Sequence, residues 1–138
     1  MDFALDTNII IHYLNQNLNV FSNFKHAVAQ GSNIIVPEIA DYELRRGFWI
    51  KPSTKKEIAY QTLTEDCPIV KTPVKMWHCA MRVYAELYRK RFTVGEMDIL
   101  IAAFCLENKC TLVTNNTADF QNIDALNLVD WSVNPCTN

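Results

Sequence analysis

The sequence predicts a single α/β domain in which helices cover both faces of a mainly parallel sheet. Short β-branched or apolar runs alternate along the chain with longer stretches of helical periodicity. This alternation is typical of parallel sheets, because two parallel strands need a long crossover, usually a helix, between them. The chain of 138 residues is 49% hydrophobic and 20% charged, which fits one ordinary globular domain. We assign this domain to residues 1–133 and a C-terminal tail to residues 134–138.

Charge and cysteine usage argue against several classes of protein. The net charge of −2 and the pI near 5.9 create no general attraction to nucleic acid, so such binding requires local basic patches or bound cations. The five cysteines have no Cys-x-x-Cys spacing and favour reduced thiols over disulfides or a zinc site. No signal peptide and no apolar run near the ~20 residues of a membrane span are visible, so we expect a cytoplasmic protein without a membrane partner.

The opening stretch, residues 2–14, predicts a strand that ends on a carboxylate and is followed by a helix. Its apolar run stops at Asp6, and a helix is expected over 9–14. Either Thr7 or Asn8 can cap that helix with its side-chain oxygen. The order places Asp6 at the carboxyl end of a strand, where open α/β sheets bind their ligands.

Glycine and proline mark the boundaries of the next elements. Gly31 and Gly47 are plausible helix stops, and Pro37 suits a first helical position because its missing N–H is not needed there. The elements predicted between these markers are a helix over 20–30, a strand over 33–36 and a helix over 38–46. The helix over 20–30 is expected to connect the opening strand to the strand over 33–36 as the first crossover of the sheet.

The middle of the chain predicts one short strand between two helices of different character. The predicted elements are a loop over 48–54, a polar helix over 55–65, a strand over 67–70 and a helix over 74–91. The last helix carries a broad apolar stripe and ends in Arg89-Lys90-Arg91, a basic end that the helix dipole favours.

A buried helix and two further strands complete the predicted sheet of five strands. Thr93 and Glu96 have the Thr-x-x-Glu form of a capping box, so a helix is expected to start there. Its body over 99–106 is apolar on nearly every side, which is typical of a helix packed between other layers. After it come a strand over 111–114, a turn over 115–116 and a last strand over 128–131.

Four acidic residues lie at positions where the ends of predicted strands and helices can point toward a common crevice. Asp6 ends the first strand and Glu43 lies in the helix after the second. Asp98 lies in the first turns of the buried helix, and Asp119 follows the fourth strand. Clustered carboxylates resist joint ionisation unless a cation joins them, and Mg²⁺ or Mn²⁺ prefers such oxygen ligands. These ions activate water and clamp phosphodiesters, so the cluster suits phosphodiester hydrolysis.

Each acid also has a simpler interpretation. Asp6 can act only as a helix cap, and Glu43 can pair with Arg46 three residues on. Asp119 can be an ordinary turn acid. Asp98 is favoured near a helix N-terminus without any function, although a carboxylate on a buried helix needs a reason. The four acids therefore carry weight as an ordered set.

Four short motifs stand in order between residue 2 and about residue 131. They are Leu5-Asp6-Thr7-Asn8, Glu43-Leu44-Arg45-Arg46-Gly47, Val94-Gly95-Glu96-Met97-Asp98-Ile99-Leu100-Ile101-Ala102-Ala103, and Leu112-Val113-Thr114-Asn115-Asn116 leading to Asp119-Phe120. In this order and spacing the chain resembles the PIN domains and, within them, the VapC-type toxin ribonucleases of bacterial toxin–antitoxin pairs. Each motif alone is weak, but four in sequence are specific.

The resemblance implies a PIN-like fold with a five-stranded parallel sheet and a Mg²⁺- or Mn²⁺-dependent endoribonuclease. Such enzymes are held inactive by a cognate antitoxin and are commonly homodimers. The implied metal-site residues are Asp6, Glu43 and Asp98, with Asn8 and Thr114 in support and a polar fourth corner near Asn116 and Asp119. Family members often carry Asp where this chain has Asn116, so the fourth acid is Asp119 or is absent. One metal ion and two both remain open.

A basic run follows the second acid. Its members are Arg45, Arg46, Lys51, Lys55 and Lys56, with the aromatic residues Phe48 and Trp49 between them. Such a patch can hold the phosphate backbone, and an aromatic ring can stack on an unpaired base. Arginine and aromatic residues serve a protein partner equally well. We therefore expect Arg45, Arg46, Lys51 and Trp49 to contact RNA or the antitoxin; the alternative is a solvated helix end beside core aromatics.

The sequence thus favours a metal-dependent endoribonuclease over two rivals. A non-catalytic PIN-like module that binds RNA or protein has no need of the early acids. A phosphatase with an aspartyl nucleophile would want a second Asp two residues after Asp6, where Asn8 stands.

Overall fold

The computed structural model describes residues 1–133, and the tail predicted over 134–138 lies outside the described residues. The strands are β1 (Asp2–Leu5), β2 (Asn33–Pro37), β3 (Ile69–Val70), β4 (Thr111–Val113) and β5 (Leu128–Val129). The helices are α1 (Thr7–Leu14), α2 (Leu18–Ala29), α3 (Glu38–Ile50), α4 (Thr54–Asp66), α5 (Val74–Arg89), α6 (Glu96–Asn108) and α7 (Thr117–Phe120). The short helix α7 was not predicted.

The five strands form one sheet in the order β3-β2-β1-β4-β5, and every neighbouring pair is parallel. The prediction of a five-stranded, mainly parallel sheet flanked by helices is therefore confirmed. From β1 the chain builds one side of the sheet with β2 and β3, and the other side with β4 and β5. The carboxyl ends of β1 and β4 therefore meet at a topological switch point, where open α/β sheets form their ligand crevice.

The helix α6 is buried along its body, as its apolar sequence predicts. The side chains from Ile101 to Cys105 are all 0% exposed. The helix packs against α5, whose inner face contributes Met76, Val83 and Leu87 to the same core. This packing holds the first turn of α6 at a defined place near the sheet. No helix within residues 1–133 is long and apolar enough to cross a membrane.

The predicted capping box at Thr93 and Glu96 is wrong. The helix α6 begins at Glu96, and Gly95 occupies the cap position with extended backbone and no side-chain cap bond. Glu96 is therefore the first helical residue and not the third, so it cannot reach back to bond Thr93 in the capping-box manner. The Thr-x-x-Glu pattern therefore does not mark the start of this helix.

Gly31 and Gly47 look alike in sequence but differ in the structure. Gly31 has φ of +76°, the left-handed conformation expected after a helix end. Gly47 keeps helical backbone inside α3, and its carbonyl accepts a 2.9 Å hydrogen bond from Lys51 N. The predicted end of the helix at Gly47 is thus wrong, and the connection to α4 shortens to residues 51–53. A glycine ends a helix only where its backbone turns left-handed.

Candidate active site

Asp6 lies at the end of β1 and is only 4% exposed. Its Oδ1 accepts a 2.8 Å hydrogen bond from Thr7 N and so caps α1, where Thr7 or Asn8 was expected to act. Its Oδ2 accepts a 2.8 Å bond from Thr114 Oγ1 at the end of β4. Burial raises the pKa of Asp6, while the two hydrogen bonds oppose that rise. Both carboxylate oxygens are therefore held in place.

Thr114 connects Asp6 to the loop that follows β4. The residue is 0% exposed, and its Oγ1 accepts a 3.1 Å hydrogen bond from Asn116 N while it donates to Asp6. One hydroxyl group thus satisfies a buried carboxylate and a backbone N–H group. The conformation of the loop and the orientation of the acid are coupled through this single residue.

Glu43 reaches the same region from α3. Its Oε1 accepts a 3.0 Å hydrogen bond from Thr7 Oγ1. Burial is the main cause of the raised pKa of Glu43; the charge on Asp6 adds to the rise, and the Thr7 bond and Arg46 oppose it. The pairing of Glu43 with Arg46 that the sequence allows is not formed within the described residues, and the Arg46 guanidinium lies 5.1 Å from the centre of the Tyr42 ring.

Asp98, in the first turn of α6, interacts electrostatically with the other three acids. Burial, followed by the charges on Asp6, Asp119 and Glu43, raises the pKa of Asp98 to about 6. Asp119 lies on the exposed side of α7, whose first turn it occupies. The structure therefore brings the four predicted acids into one electrostatic neighbourhood at the carboxyl edge of the sheet. Such shifts cluster at functional sites because burial and like charges are concentrated there.

The donor set of this neighbourhood fits a hard divalent cation. All four side chains offer carboxylate oxygens, and their mutual repulsion is what a cation would offset. Within residues 1–133, however, no three His, Cys, Asp or Glu side chains approach closely enough to form a complete metal-ligand cluster. Mg²⁺ does not need one, because proteins usually bind it through one or two carboxylates and leave several waters in place.

The supporting residues predicted from the sequence differ in their contacts. Thr114 bonds an acid directly, as described above. Asn116 contributes its backbone N–H to Thr114, and its exposed side chain forms no cap bond to α7. Asn8 is exposed in the first turn of α1, and no hydrogen bond joins it to the acids in the described part of the chain. Thr7, which sequence reasoning treated only as a possible helix cap, bonds two of the acids; its position directly after Asp6 was the available signal.

His12 and Asn115 form a further contact that the sequence did not predict. His12 Nε2 lies 3.1 Å from Asn115 Nδ2, between α1 and the loop after β4. Asn115 Oδ1 is buried and has no hydrogen-bond partner among the described residues. The contact joins the helix behind Asp6 to the loop that carries Asn116.

The members of the basic run after Glu43 are exposed, but they differ in whether their charge is paired. Arg45 forms a 2.7 Å ion pair with Asp41, which also accepts a 2.7 Å hydrogen bond from the Tyr60 hydroxyl. Trp49 is 88% exposed at the end of α3. Lys51 is exposed and lines a cavity next to Glu43. Trp49 and Lys51 are therefore free to contact a ligand, whereas the charge of Arg45 is already paired with Asp41.

Comparisons with known proteins identify the family to which this sequence is similar. The family model of the PIN domain matches residues 3–126. The chain is 30% identical over 134 residues to Ribonuclease VapC2 of Rickettsia felis, and the match covers 95% of this chain and 98% of that protein. It is 24% identical over 133 residues to Ribonuclease VapC1 of Haemophilus influenzae, covering 96% of this chain and 99% of that protein.

Solved structures share the fold over the same length. The crystal structure of VapBC2 from Rickettsia felis bound to a DNA fragment from its promoter matches with a TM-score of 0.88 and 26% identity, covering 95% of this chain and 99% of that one. VapBC-1 from nontypeable Haemophilus influenzae matches with a TM-score of 0.83 and 26% identity, covering 96% and 100%. The order of motifs, the parallel sheet and the match over residues 3–126 lead to one assignment: the chain belongs to the PIN domain family.

Proposed function

We propose that this chain is a cytoplasmic Mg²⁺- or Mn²⁺-dependent endoribonuclease and the toxin of a toxin–antitoxin pair, with its nuclease domain in residues 1–133. The observation that carries the proposal is the placement of four carboxylates near the switch point of the sheet, where burial and the charges on the other three raise the pKa of Asp98. The names of the relatives, which are ribonucleases, support the same reaction class.

In this proposal Asp6, Glu43 and Asp98 hold the ion, and Asp119 completes or supports the site. The ion, when bound, would activate water for attack on the phosphodiester and neutralise the charge that develops on it. The chain's own contribution is to orient the carboxylates: Thr114 and Thr7 hold Asp6, and Thr7 also holds Glu43. Burial and the charges on the other three acids raise the pKa of Asp98 to about 6, and a bound cation would offset this repulsion.

The proposed partners are an RNA substrate, a cognate antitoxin and a second copy of the chain. The solved structures that resemble this chain at 26% identity are VapBC assemblies, which supports an antitoxin partner. A homodimer is supported by an exposed apolar stripe on α5 with helical spacing. Its members are Val74, Trp77, Met81, Tyr84 and Tyr88. The mass of the purified chain in solution, measured by light scattering, tests this part directly.

The nuclease is tested by incubating the antitoxin-free chain with total bacterial RNA. We expect discrete fragments with Mg²⁺ or Mn²⁺, and none with EDTA or in the variants Asp6→Asn and Asp98→Ala. Glu96→Gln is the matched control for Asp98, because Glu96 lies in the same first turn but is exposed. Its activity should equal that of the wild type.

Two results would contradict the proposal. Undiminished cleavage by Asp6→Asn would reject the assignment of the site. Wild-type chain that binds RNA but leaves it intact with either metal would favour the rival function, a PIN-like module that binds RNA or protein without cutting it. Titration with Mn²⁺ then separates the two, since a module without catalysis has no need to bind the ion.

A further inference from the structure

A cavity of about 420 Å³ adjoins the acidic site. Thr7 and Glu43 line it, so two side chains of the acidic site form one wall. The rest of the lining includes four apolar side chains, two exposed lysines that form the rim, and Pro52 and Ser53. The apolar side chains are those of Ile11, Leu14, Leu44 and Phe48, and the lysines are Lys51 and Lys56. The cavity therefore combines an apolar interior with a cationic rim, beside the Glu43 carboxylate.

Gly47 lines this cavity, and local backbone geometry does not explain its presence. Its φ lies outside the left-handed range, and a Cβ added there would meet no atom within 4 Å. A glycine inside a helix destabilises it by about 1 kcal/mol relative to alanine. Gly47 lies on the same helix face as Glu43 and Lys51, four residues away on either side, and this face lines the cavity. A large side chain at position 47 would therefore occupy part of the cavity.

The charges at the rim select the kind of occupant. Lys51 and Lys56 are exposed, and neither forms an ion pair within residues 1–133, where the recorded pairs are Arg45–Asp41 and Lys90–Asp124. Two free ammonium groups attract an anionic ligand and repel a basic one. The apolar interior with the Phe48 ring suits a flat aromatic group, on which such a ring can stack.

We propose that this cavity binds the base of a nucleotide next to the phosphodiester that is cut, with Lys51 and Lys56 holding its phosphate. The inference rests on the proposed nuclease function, because it is that reaction which places a phosphodiester beside Glu43. A nucleotide joins an aromatic base to a phosphate, which matches the two chemistries that meet here. A base must leave its stack to enter the cavity, so the nucleotide bound here is unpaired.

The direct test is titration of the wild-type chain, without metal, with each of the four ribonucleoside 5′-monophosphates. The methyl NMR signals of Ile11 and Leu14 report on the cavity, and that of Ile123, buried elsewhere in the core, is the reference. We expect at least one nucleotide to shift the first two signals in a saturable way. Gly47→Leu, which fills the cavity, should weaken this binding about tenfold or more, and Gly47→Ala less.

Ala29→Leu is the matched control, since it adds the same side chain at an exposed helical position at the end of α2. It should bind nucleotide as the wild type does. If leucine at position 47 unfolds the chain, Lys56→Gln replaces it: the affinity for a nucleotide should then fall about threefold or more, while that for the nucleoside, which lacks the phosphate, should not.

Three outcomes overturn the inference: no nucleotide shifts the Ile11 and Leu14 signals, folded Gly47→Leu binds as the wild type does, or Lys56→Gln weakens nucleoside and nucleotide alike. If no nucleotide shifts these signals, a segment of a partner protein becomes the better candidate for the cavity. Cleavage assays keep this result apart from the proposed function. RNA cutting that is identical in rate and sites in Gly47→Leu rejects the cavity and keeps the nuclease. If the chain binds nucleotide in the cavity but cuts no RNA, the cavity assignment is kept and the nuclease is rejected.

Discussion

Thr7 Oγ1 donates a 3.0 Å hydrogen bond to Glu43 Oε1, across 36 positions of sequence. The backbone N–H of the same threonine donates to Asp6 Oδ1 at 2.8 Å. One residue at the start of α1 therefore orients two carboxylates that come from different elements. The contact exists because α1 packs against α3, so the relative position of the two acids depends on that packing.

Replacing Thr7 with valine tests this role in positioning. The substitution keeps the β-branched shape and the backbone bond to Asp6 but removes the hydroxyl bond to Glu43. Groups that orient metal-binding side chains typically contribute about 10- to 100-fold in metal affinity or activity. We expect Thr7→Val to lose about tenfold in Mn²⁺ affinity, measured by calorimetry, and in RNA cleavage, with an unchanged melting temperature. Thr7→Ser, which restores the hydroxyl, should recover most of both; equal loss in Ser and Val would reject the role.

Replacing Thr114 with valine tests the buried hydrogen bonds behind the site. The change leaves Asp6 Oδ2 and Asn116 N without their partner. A buried polar group that loses its partner costs about 1–3 kcal/mol, and we expect Thr114→Val to lower the free energy of unfolding in urea by that amount. Thr111→Val is the control, because Thr111, at the start of β4, is also buried, at 8% exposure, and forms no side-chain hydrogen bond within the described residues. Similar losses in both variants would contradict the prediction.

The pH dependence of stability tests the charge on Asp98. In the folded chain its pKa is raised from an ordinary 3.8 to about 6, so the folded state favours the neutral acid. Ionisation therefore costs stability: the cost is absent below the ordinary pKa, grows between it and about 6, and is constant above. In EDTA, Asp98→Asn should be more stable than the wild type at neutral pH by about 1 kcal/mol, a small value because the half-exposed carboxyl is screened by solvent.

Thermal melts over a range of pH measure this difference. The advantage of Asp98→Asn should shrink as the pH falls and vanish near the ordinary pKa of an aspartate. Glu96→Gln, in the same turn but exposed, should show no advantage at any pH. An advantage of Asp98→Asn that does not change with pH would show that its origin is not the titration of this carboxyl.

The two glycines that mark helix ends in the sequence should respond oppositely to alanine. Gly47 has helical backbone and open space around its missing side chain, so Gly47→Ala should raise the free energy of unfolding by about 0.5–1 kcal/mol. Gly31 has φ of +76°, which strains any residue with a side chain, so Gly31→Ala should lower it by about 1 kcal/mol. Urea denaturation measures both, and destabilisation by Gly47→Ala would contradict the helical assignment at this position.

Local patterns in the sequence were enough to predict the strands and the longer helices, though not α7, and the edge of the sheet near which the four acids lie. Burial can be predicted from a few neighbouring residues in three places. These are the apolar run that stops at Asp6, the β-branched run before Pro37 and the apolar stretch after Asp98. Strand and helix are decided by such short-range periodicity. Because the carboxyl ends of parallel strands share one edge of the sheet, the order of the four acids along the chain predicted that they would lie near each other there.

Packing between distant elements decided the rest. Thr7 bonds Glu43 only because α1 packs against α3. The pKa of Asp98 is raised only because folding buries it and brings three other acids near it. Gly47 shows the same limit: its residue type allows a helix end, but the continuing hydrogen bond to Lys51 keeps it helical. Residue types and spacing thus determined which groups are present, while tertiary contacts determined how each is held, because hydrogen bonds and charge interactions act only over the few ångströms that folding brings about.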